Sequence, residues 1–140
     1  MLANTTNTQQ ASTQAYPRRF RLTSQQDFSR VFKKNTTCRD QYFRILAQTG
    51  TGLGFARLGQ VVSRKVDRRA VQRNRIKRLV RESFRRYGVV IMQQDLNTDK
   101  QGIDFVVLAQ RQAAMEPDNR VLFNSLNQLW DQLERKICRH

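Results

Sequence analysis

Apolar residues along this chain are grouped into patterned stretches, and the spacing within each predicts its conformation. Phe28, Val31 and Phe32 recur at helical spacing, and Ser24 with Asp27 three residues later provides a start signal just ahead of them. A short helix ending around Lys34 is expected. Gln41 to Ala47, which carries Tyr42, Phe43, Ile45 and Leu46, reads as a strand; Gly50, Gly52 and Gly54 read as a turn, and Phe55 to Ser63 as the next strand. A long helix is expected from Arg68 to Tyr87, closed by Gly88, which can take the left-handed conformation without a Cβ penalty. Val89 to Gln101 follows as a mostly polar loop. Ile103 to Ala109 is apolar except for Asp104, has strand length and is rich in β-branched residues, so it predicts a central strand. Leu122, Leu126, Leu129, Trp130, Leu133 and Ile137 form a stripe with helical periodicity on a last helix beginning near Asp118.

The expected order is α-β-β-α-β-α, with room for one further strand before the long helix. This is a small α+β fold with helices packed on a central sheet. A length of 140 residues allows one core and one domain. Residues 1–15 are almost all Thr, Asn, Gln, Ser and Ala, too little apolar surface to offset the entropy of ordering the backbone. They are expected to be a disordered polar tail, leaving 16–140 as the domain.

Charge changes this picture from a fold to a function. The chain carries 26 Lys and Arg against 11 Asp and Glu, a formal net charge of +15. Such a balance calls for a polyanionic partner. No stretch approaches the roughly 20 apolar residues of a membrane span, and the most basic segment has few large apolar residues to anchor it, so nucleic acid is favoured over a membrane surface. The polar N-terminus lacks the basic start and apolar run of a signal peptide, and a cytoplasmic protein is expected. Cys38 and Cys138 stand far apart and the single histidine is His140, so the chain offers no zinc-ligand spacing and both cysteines read as reduced thiols.

The cations are concentrated. Residues 64–86 hold 11 of the 26: Arg64, Lys65, Arg68, Arg69, Arg73, Arg75, Lys77, Arg78, Arg81, Arg85 and Arg86, against only Asp67 and Glu82. A lighter cluster, Arg18, Arg19, Arg21, Arg30, Lys33 and Lys34, lies on and before the first helix. Spaced at about 100° per residue, Ile76, Leu79, Val80, Ser83, Phe84 and Tyr87 share one side of the long helix, while Asn74, Lys77, Arg78, Arg81 and Arg85 share the other. One face is core and the other a cationic rail. A solvated helix face normally mixes both signs, whereas here like charges stack at i+3 and i+4, a pattern that weakens an isolated helix. Arginine outnumbers lysine by nine to two in the segment, which suits bidentate phosphate contacts and base stacking. No helix-turn-helix, zinc spacing or basic zipper surrounds the helix, so RNA is the expected partner.

The run Arg73-Asn74-Arg75-Ile76-Lys77-Arg78-Leu79-Val80-Arg81-Glu82 is similar to the signature of the bacterial ribonuclease P protein component family. Val62-Ser63-Arg64-Lys65 resembles that family's strand exit, and Asp27-Phe28 with Val31-Phe32-Lys33 its first helix. Arg57-Leu58-Gly59 resembles its second strand, and Asp104-Phe105-Val106-Val107 with Arg111 its last strand and exit. The likeness spans about Arg18 to Leu133. Gln60, in a strand position where the family usually has an apolar residue, and Asp67, beside the motif, depart from the pattern.

The resemblance implies a left-handed crossover through the basic helix, an exception to the usual handedness. It also implies a protein that assists a catalytic RNA subunit, one protein per RNA, in removing the 5′ leader from precursor tRNA, with Mg2+ held at the RNA active site. Arg73, Asn74, Arg75, Lys77, Arg78 and Arg81 match the motif that contacts the catalytic RNA, and Arg64 and Lys65 match the basic pair before it. Arg68, Arg69 and Arg85 extend the same basic surface. Phe28 and Phe32 match aromatics of a cleft for the single-stranded leader, although two Phe at i and i+4 are equally ordinary core residues. Trp130, Phe84 and Phe105 read as core. No catalytic residue is assigned to the protein: phosphodiester hydrolysis needs clustered carboxylates with metals, or a general base, and the acids here are scattered. Asp95 and Asp99 read as solubilising loop residues. Two competing readings are a structural, ribosomal-type RNA-binding protein and a stand-alone nuclease.

Overall fold

The structure, a computed structural model, describes residues 20–53, 55–94 and 102–137, with side chains described for all of these except 88–94. Helix α1 spans Gln25–Lys33, followed by strands β1 (Thr36–Arg39), β2 (Phe43–Thr49) and β3 (Ala56–Val61), helix α2 (Ala70–Gln94), strand β4 (Ile103–Ala109), a short helix α3 (Arg111–Met115) and helix α4 (Asn119–Ile137). The strands form one sheet in the order β1-β2-β4-β3. β2 pairs antiparallel with β1 and β4, whereas β3 pairs parallel to β4. A parallel pair requires a crossover, and α2 is that crossover. The sheet is therefore mixed, and the domain is α+β.

Side-chain alternation along the strands sends apolar residues to both faces. On one face Phe43, Ile45, Ala47, Leu58, Phe105 and Val107 join Ile76, Val80 and Phe84 of α2 and Leu122, Leu126, Leu129, Trp130 and Leu133 of α4 in the main core. On the other, Leu46 and Val106 meet Val31 of α1 and Leu22 just ahead of it. Ser24 caps α1 as its sequence suggests: its Oγ accepts from the backbone N–H of Gln26 at 3.1 Å and of Asp27 at 3.4 Å.

Several boundaries differ from the sequence expectation, each for a local reason. The strand expected from Gln41, β2, begins at Phe43 instead, because the Asp40 carboxylate accepts from the N–H groups of Tyr42 and Phe43 at 2.8 and 2.9 Å and turns the chain there. β1 fills the place left for a further strand, and α3 is an element the sequence did not announce. Gly50 and Gly52 do occupy positive φ, 77° and 81°. Helix α2 corrects the expected Arg68–Tyr87 span at both ends. It starts at Ala70, after a turn in which Asp67 Oδ1 accepts from Arg69 N–H at 2.8 Å. It then runs through Gly88 to Gln94, so Gly88 is a helical residue and not a stop, and Val89–Gln94 is helix where a loop was expected. Glycine weakens a helix by about 1 kcal/mol relative to alanine but does not end one. The polar tail 1–15, Gly54, Asp95, Asp99 and Cys138 lie outside the described residues; Cys38 is buried.

Candidate nucleic-acid interface

The two-faced design of α2 is present: Ile76, Val80, Ser83, Phe84 and Tyr87 are buried and Leu79 is partly so, while Asn74, Arg78 and Arg85 are exposed. Where the basic side chains go divides them into three groups. The first group is turned inward. Arg73 Nη1 donates to the carbonyls of Asp67 at 3.0 Å and Arg68 at 2.8 Å, tying the helix to the turn before it. Arg75 donates from Nη1 to Asn119 Oδ1 at 2.7 Å and from Nη2 to the carbonyls of Glu116 at 2.8 Å and Ala113 at 3.3 Å. Its Nε also bonds Gln72 Oε1 at 3.0 Å. Arg75 is thus a clamp between α2 and the corner joining α3 to α4.

The second group is neutralised on the surface. Arg69 pairs with Asp67 at 3.0 Å, and its hydrogen bond holds the Asp67 carboxyl below the usual carboxylate range. Arg85 and Arg86 share Glu82 at 2.6 and 3.0 Å, and the hydrogen bond from Arg85 is the chief cause of the lowered Glu82 pKa.

The third group is available. The side chains of Arg64, Lys65, Arg68, Asn74, Lys77, Arg78 and Arg81 make no hydrogen bond or ion pair among the described residues. Arg81 is half-buried, and its pKa is lowered first by that burial and then by repulsion from Arg21 and Arg78. Gln60, the departure noted in β3, points to the α2 face: its Nε2 donates to the Lys77 carbonyl at 3.2 Å, while its Oε1 is buried without a partner among the described residues.

Phe28 and Phe32 sit on the opposite face of the sheet and differ from one another. Phe28 packs against the small core of Leu22, Val31, Leu46 and Val106. It lies so close to the backbone of β3 that a Cβ on Gly59 would meet its ring at 2.7 and 2.8 Å. Phe32 is 47% exposed and stacks on Phe28 with ring centroids 6.5 Å apart and planes 26° apart. The pair makes a shelf with a buried and an exposed ring. Below it Arg57 of β3 donates to Asp104 of β4 at 2.9 Å from Nε and 2.7 Å from Nη2, and to Asp27 of α1 at 3.2 Å from Nη1. Asp27 also accepts from Arg30.

A concavity of about 680 Å³ lies at the end of the sheet, lined by Arg39, Arg44, Lys65 and Arg111 together with Asp40. Arg39 and Arg44 were not assigned to the site from sequence. Arg44 shares a face of β2 with Leu46, so it adds charge to the α1 side; strand alternation was the signal that could have found it. Among the described residues no three of His, Cys, Asp and Glu gather as a metal-holding group, and no helix is long and apolar enough to cross a membrane.

A basic helix docked across a mixed sheet, with an aromatic shelf on the other side, is the arrangement against which the likeness to known proteins stands. The family model for ribonuclease P matches residues 16–134. The chain belongs to the ribonuclease P protein family. The ribonuclease P protein component of Marinobacter nauticus is 42% identical over 122 residues, covering 86% of this chain and 83% of that one. That of Escherichia coli is 39% identical over 125 residues, covering 89% and 92%. The ribonuclease P protein from Thermotoga maritima superposes with a TM-score of 0.65 at 32% identity, over 81% of this chain and 97% of that one. The Staphylococcus aureus protein gives 0.66 at 26% identity, over 81% and 94%. Family membership assigns the chain a role in the ribonuclease P holoenzyme, an endoribonuclease whose catalysis belongs to its RNA subunit, and disfavours both the ribosomal-type and the stand-alone nuclease readings.

Proposed function

We propose that this chain binds the catalytic RNA through the unpaired cations of α2 and the turn before it, and holds the single-stranded 5′ leader of precursor tRNA against the Phe28–Phe32 shelf. The observation that carries this reading is the third group of basic residues. Lys77, Arg78 and Arg81 have no side-chain partners among the described residues on a helix whose other side is buried, and Arg64, Lys65 and Arg68 continue the surface into the preceding turn. Keeping like charges together and unneutralised opposes folding, and RNA phosphates supply the missing counter-charge while releasing condensed counterions. Arg73, Arg75, Arg69 and Arg85, although inside the basic segment, already hold partners. They act by shaping the surface or by re-pairing with phosphate on contact.

The shelf offers a sequence-tolerant way to hold a strand, since every base has a π-face to stack on an exposed ring. Chemistry is left to the RNA. Mg2+ belongs, in this reading, with the RNA active site, and no protein side chain is assigned a part in holding it. We place the working complex in the cytoplasm with one protein per RNA subunit. The test is cleavage of precursor tRNA by the cognate RNA subunit at low magnesium and moderate salt. Adding the protein is expected to accelerate cleavage sharply, because protein cations replace counterions; no acceleration would reject the reading.

A further inference from the structure

The segment ahead of α1 is laid against the free edge of β3. Arg21 forms a parallel bridge with Leu58, and Leu22 N–H donates to the Leu58 carbonyl at 2.8 Å. Successive side chains of an extended segment alternate between faces. Leu22 is buried on the α1 side with Val31, Leu46 and Val106, so Arg21 projects to the other side, the side of Leu58 and α2. Helix α2 passes over this edge: the Lys77 carbonyl accepts from Gln60 of β3. Arg78 and Arg81 lie on the next turn, and Arg81 feels the charge of both Arg21 and Arg78. None of the three has a hydrogen-bonding or acidic partner among the described residues, although most arginines around them do.

We propose that Arg21, Arg78 and Arg81 form a preorganised site for one backbone phosphate of RNA, with Arg21 as a binding residue contributed from outside the basic helix. The proposal rests on α2 being the RNA-binding element and extends that surface around the sheet edge. The physical basis is convergence. The half-buried Arg81 guanidinium is repelled by Arg21 from the segment on the sheet edge and by Arg78 on its own helix, and a single phosphate placed among them relieves both repulsions at once. Bidentate geometry suits guanidinium to phosphate oxygens. The main-chain bridge at Leu58 fixes the register of Arg21 without using its side chain, which leaves that side chain free to bind.

The phosphate could belong to the catalytic RNA or to the precursor tRNA, and two binding assays separate these sources. Affinity of the full chain for the RNA subunit, and affinity of the reconstituted holoenzyme for precursor tRNA, are each measured against KCl concentration for wild type, Arg21→Ala, Arg21→Lys, Arg81→Ala and the double alanine variant. Arg21→Ala is expected to lower affinity by roughly 3- to 10-fold in one assay and to reduce the salt slope by about one. Arg21→Lys should recover part of that loss. In the Arg81→Ala background the loss from Arg21→Ala should shrink to under about threefold, because the shared phosphate is already weakly held. Arg120, exposed and paired with Asp118, serves as the control, and its alanine variant should leave both slopes unchanged. Melting temperatures near wild type show that the bridge survives; a variant that melts early is replaced by Arg21→Gln. Wild-type slopes in both assays for Arg21→Ala, alongside a reduced slope for Arg81→Ala, would overturn this site while leaving the α2 reading intact. Unchanged slopes for Arg81→Ala as well would reject that reading too.

Discussion

The two faces of the sheet are held by different physics. On the α2 and α4 side, Phe84, Tyr87, Phe105 and Trp130 interlock, with neighbouring ring centroids 5.1–6.2 Å apart. One buried polar contact orders them, from Trp130 Nε1 to Ser83 Oγ at 2.8 Å. On the α1 side the buried apolar cluster among the described residues is just Leu22, Val31, Leu46 and Val106, and the helix is fastened by the Arg57 network to the buried Asp104 and to Asp27. Apolar mass holds the first face; a small core and directed charge hold the second. A domain with one heavily packed face can leave the other open, carrying a half-exposed Phe32 and the cations Arg39 and Arg44, without losing its fold.

The largest break in this comparison should come from Trp130→Ala. Removing a fully buried indole that touches three other rings is expected to cost about 3–5 kcal/mol, read as a lower urea midpoint with an unchanged slope. The exposed third group of cations does not depend on that ring. RNA affinity per folded molecule should therefore stay near wild type when stability is restored by working at low temperature.

Asp104→Ala should come next, at about 2–4 kcal/mol, because it removes two of the three hydrogen bonds of the partly buried Arg57 guanidinium and leaves it only Asp27. Asp104 is 1% exposed and Arg57 15%, so some solvent screening moderates the loss. If the second face relies on charge as proposed, amide exchange will accelerate in α1 well before it does in α4. Uniform acceleration would mean that the two faces unfold as one unit and that the contrast is only geometric.

These particulars show where the sequence was legible. The α4 stripe and the β4 run are long and strongly periodic, and both emerged where their patterns put them. Gly88 misled because a residue able to adopt the left-handed conformation is not obliged to; the helix had further turns to make. β1 is short, with Cys38 its one buried residue, so it carries almost no pattern. The Arg57–Asp104 pair depends on the parallel register that sets these two residues opposite one another across β3 and β4, and register between strands separated by a whole helix is not written in either strand. Arg73 and Arg75 were readable in part. On the same helical wheel Arg73 falls roughly 60° to one side of Ile76, within the arc of the core stripe, and Arg75 roughly 100° to the other, at its margin; both are off the rail. Their acceptors came from the preceding turn and from the unannounced corner after α3, so their inward use could not be foreseen.

That distinction sharpens into a smaller effect within α2. Arg75→Ala leaves two carbonyls and Asn119 without their donor and should cost about 1–3 kcal/mol, whereas Arg78→Ala should change stability by less than about 0.5 kcal/mol while reducing the salt slope of RNA binding by about one. Chemical denaturation and binding measured on the same two variants decide it. Equal destabilisation by both would make the rail structural, and equal loss of affinity with no destabilisation would return Arg75 to the binding surface.

Phe32→Ala should have the least effect on folding, under about 0.5 kcal/mol, because nearly half of the ring faces solvent and Phe28 beneath it keeps the contact with Gly59. Its consequence belongs to the ligand. If the shelf stacks a leader base, the loss should be about 1–3 kcal/mol, or roughly 5- to 150-fold in affinity, and it should appear only with precursors whose leader is long enough to reach the shelf. Precursors bearing a single leader nucleotide should bind wild type and variant alike, and Phe32→Tyr, which keeps the π-face, should restore the long-leader advantage. The Phe28→Ala variant is the less informative partner: it removes an anchor of the α1 face and should lose stability and leader discrimination together. A Phe32→Ala variant that destabilised the protein as Phe28→Ala does would place both rings in the core and remove the shelf from the function.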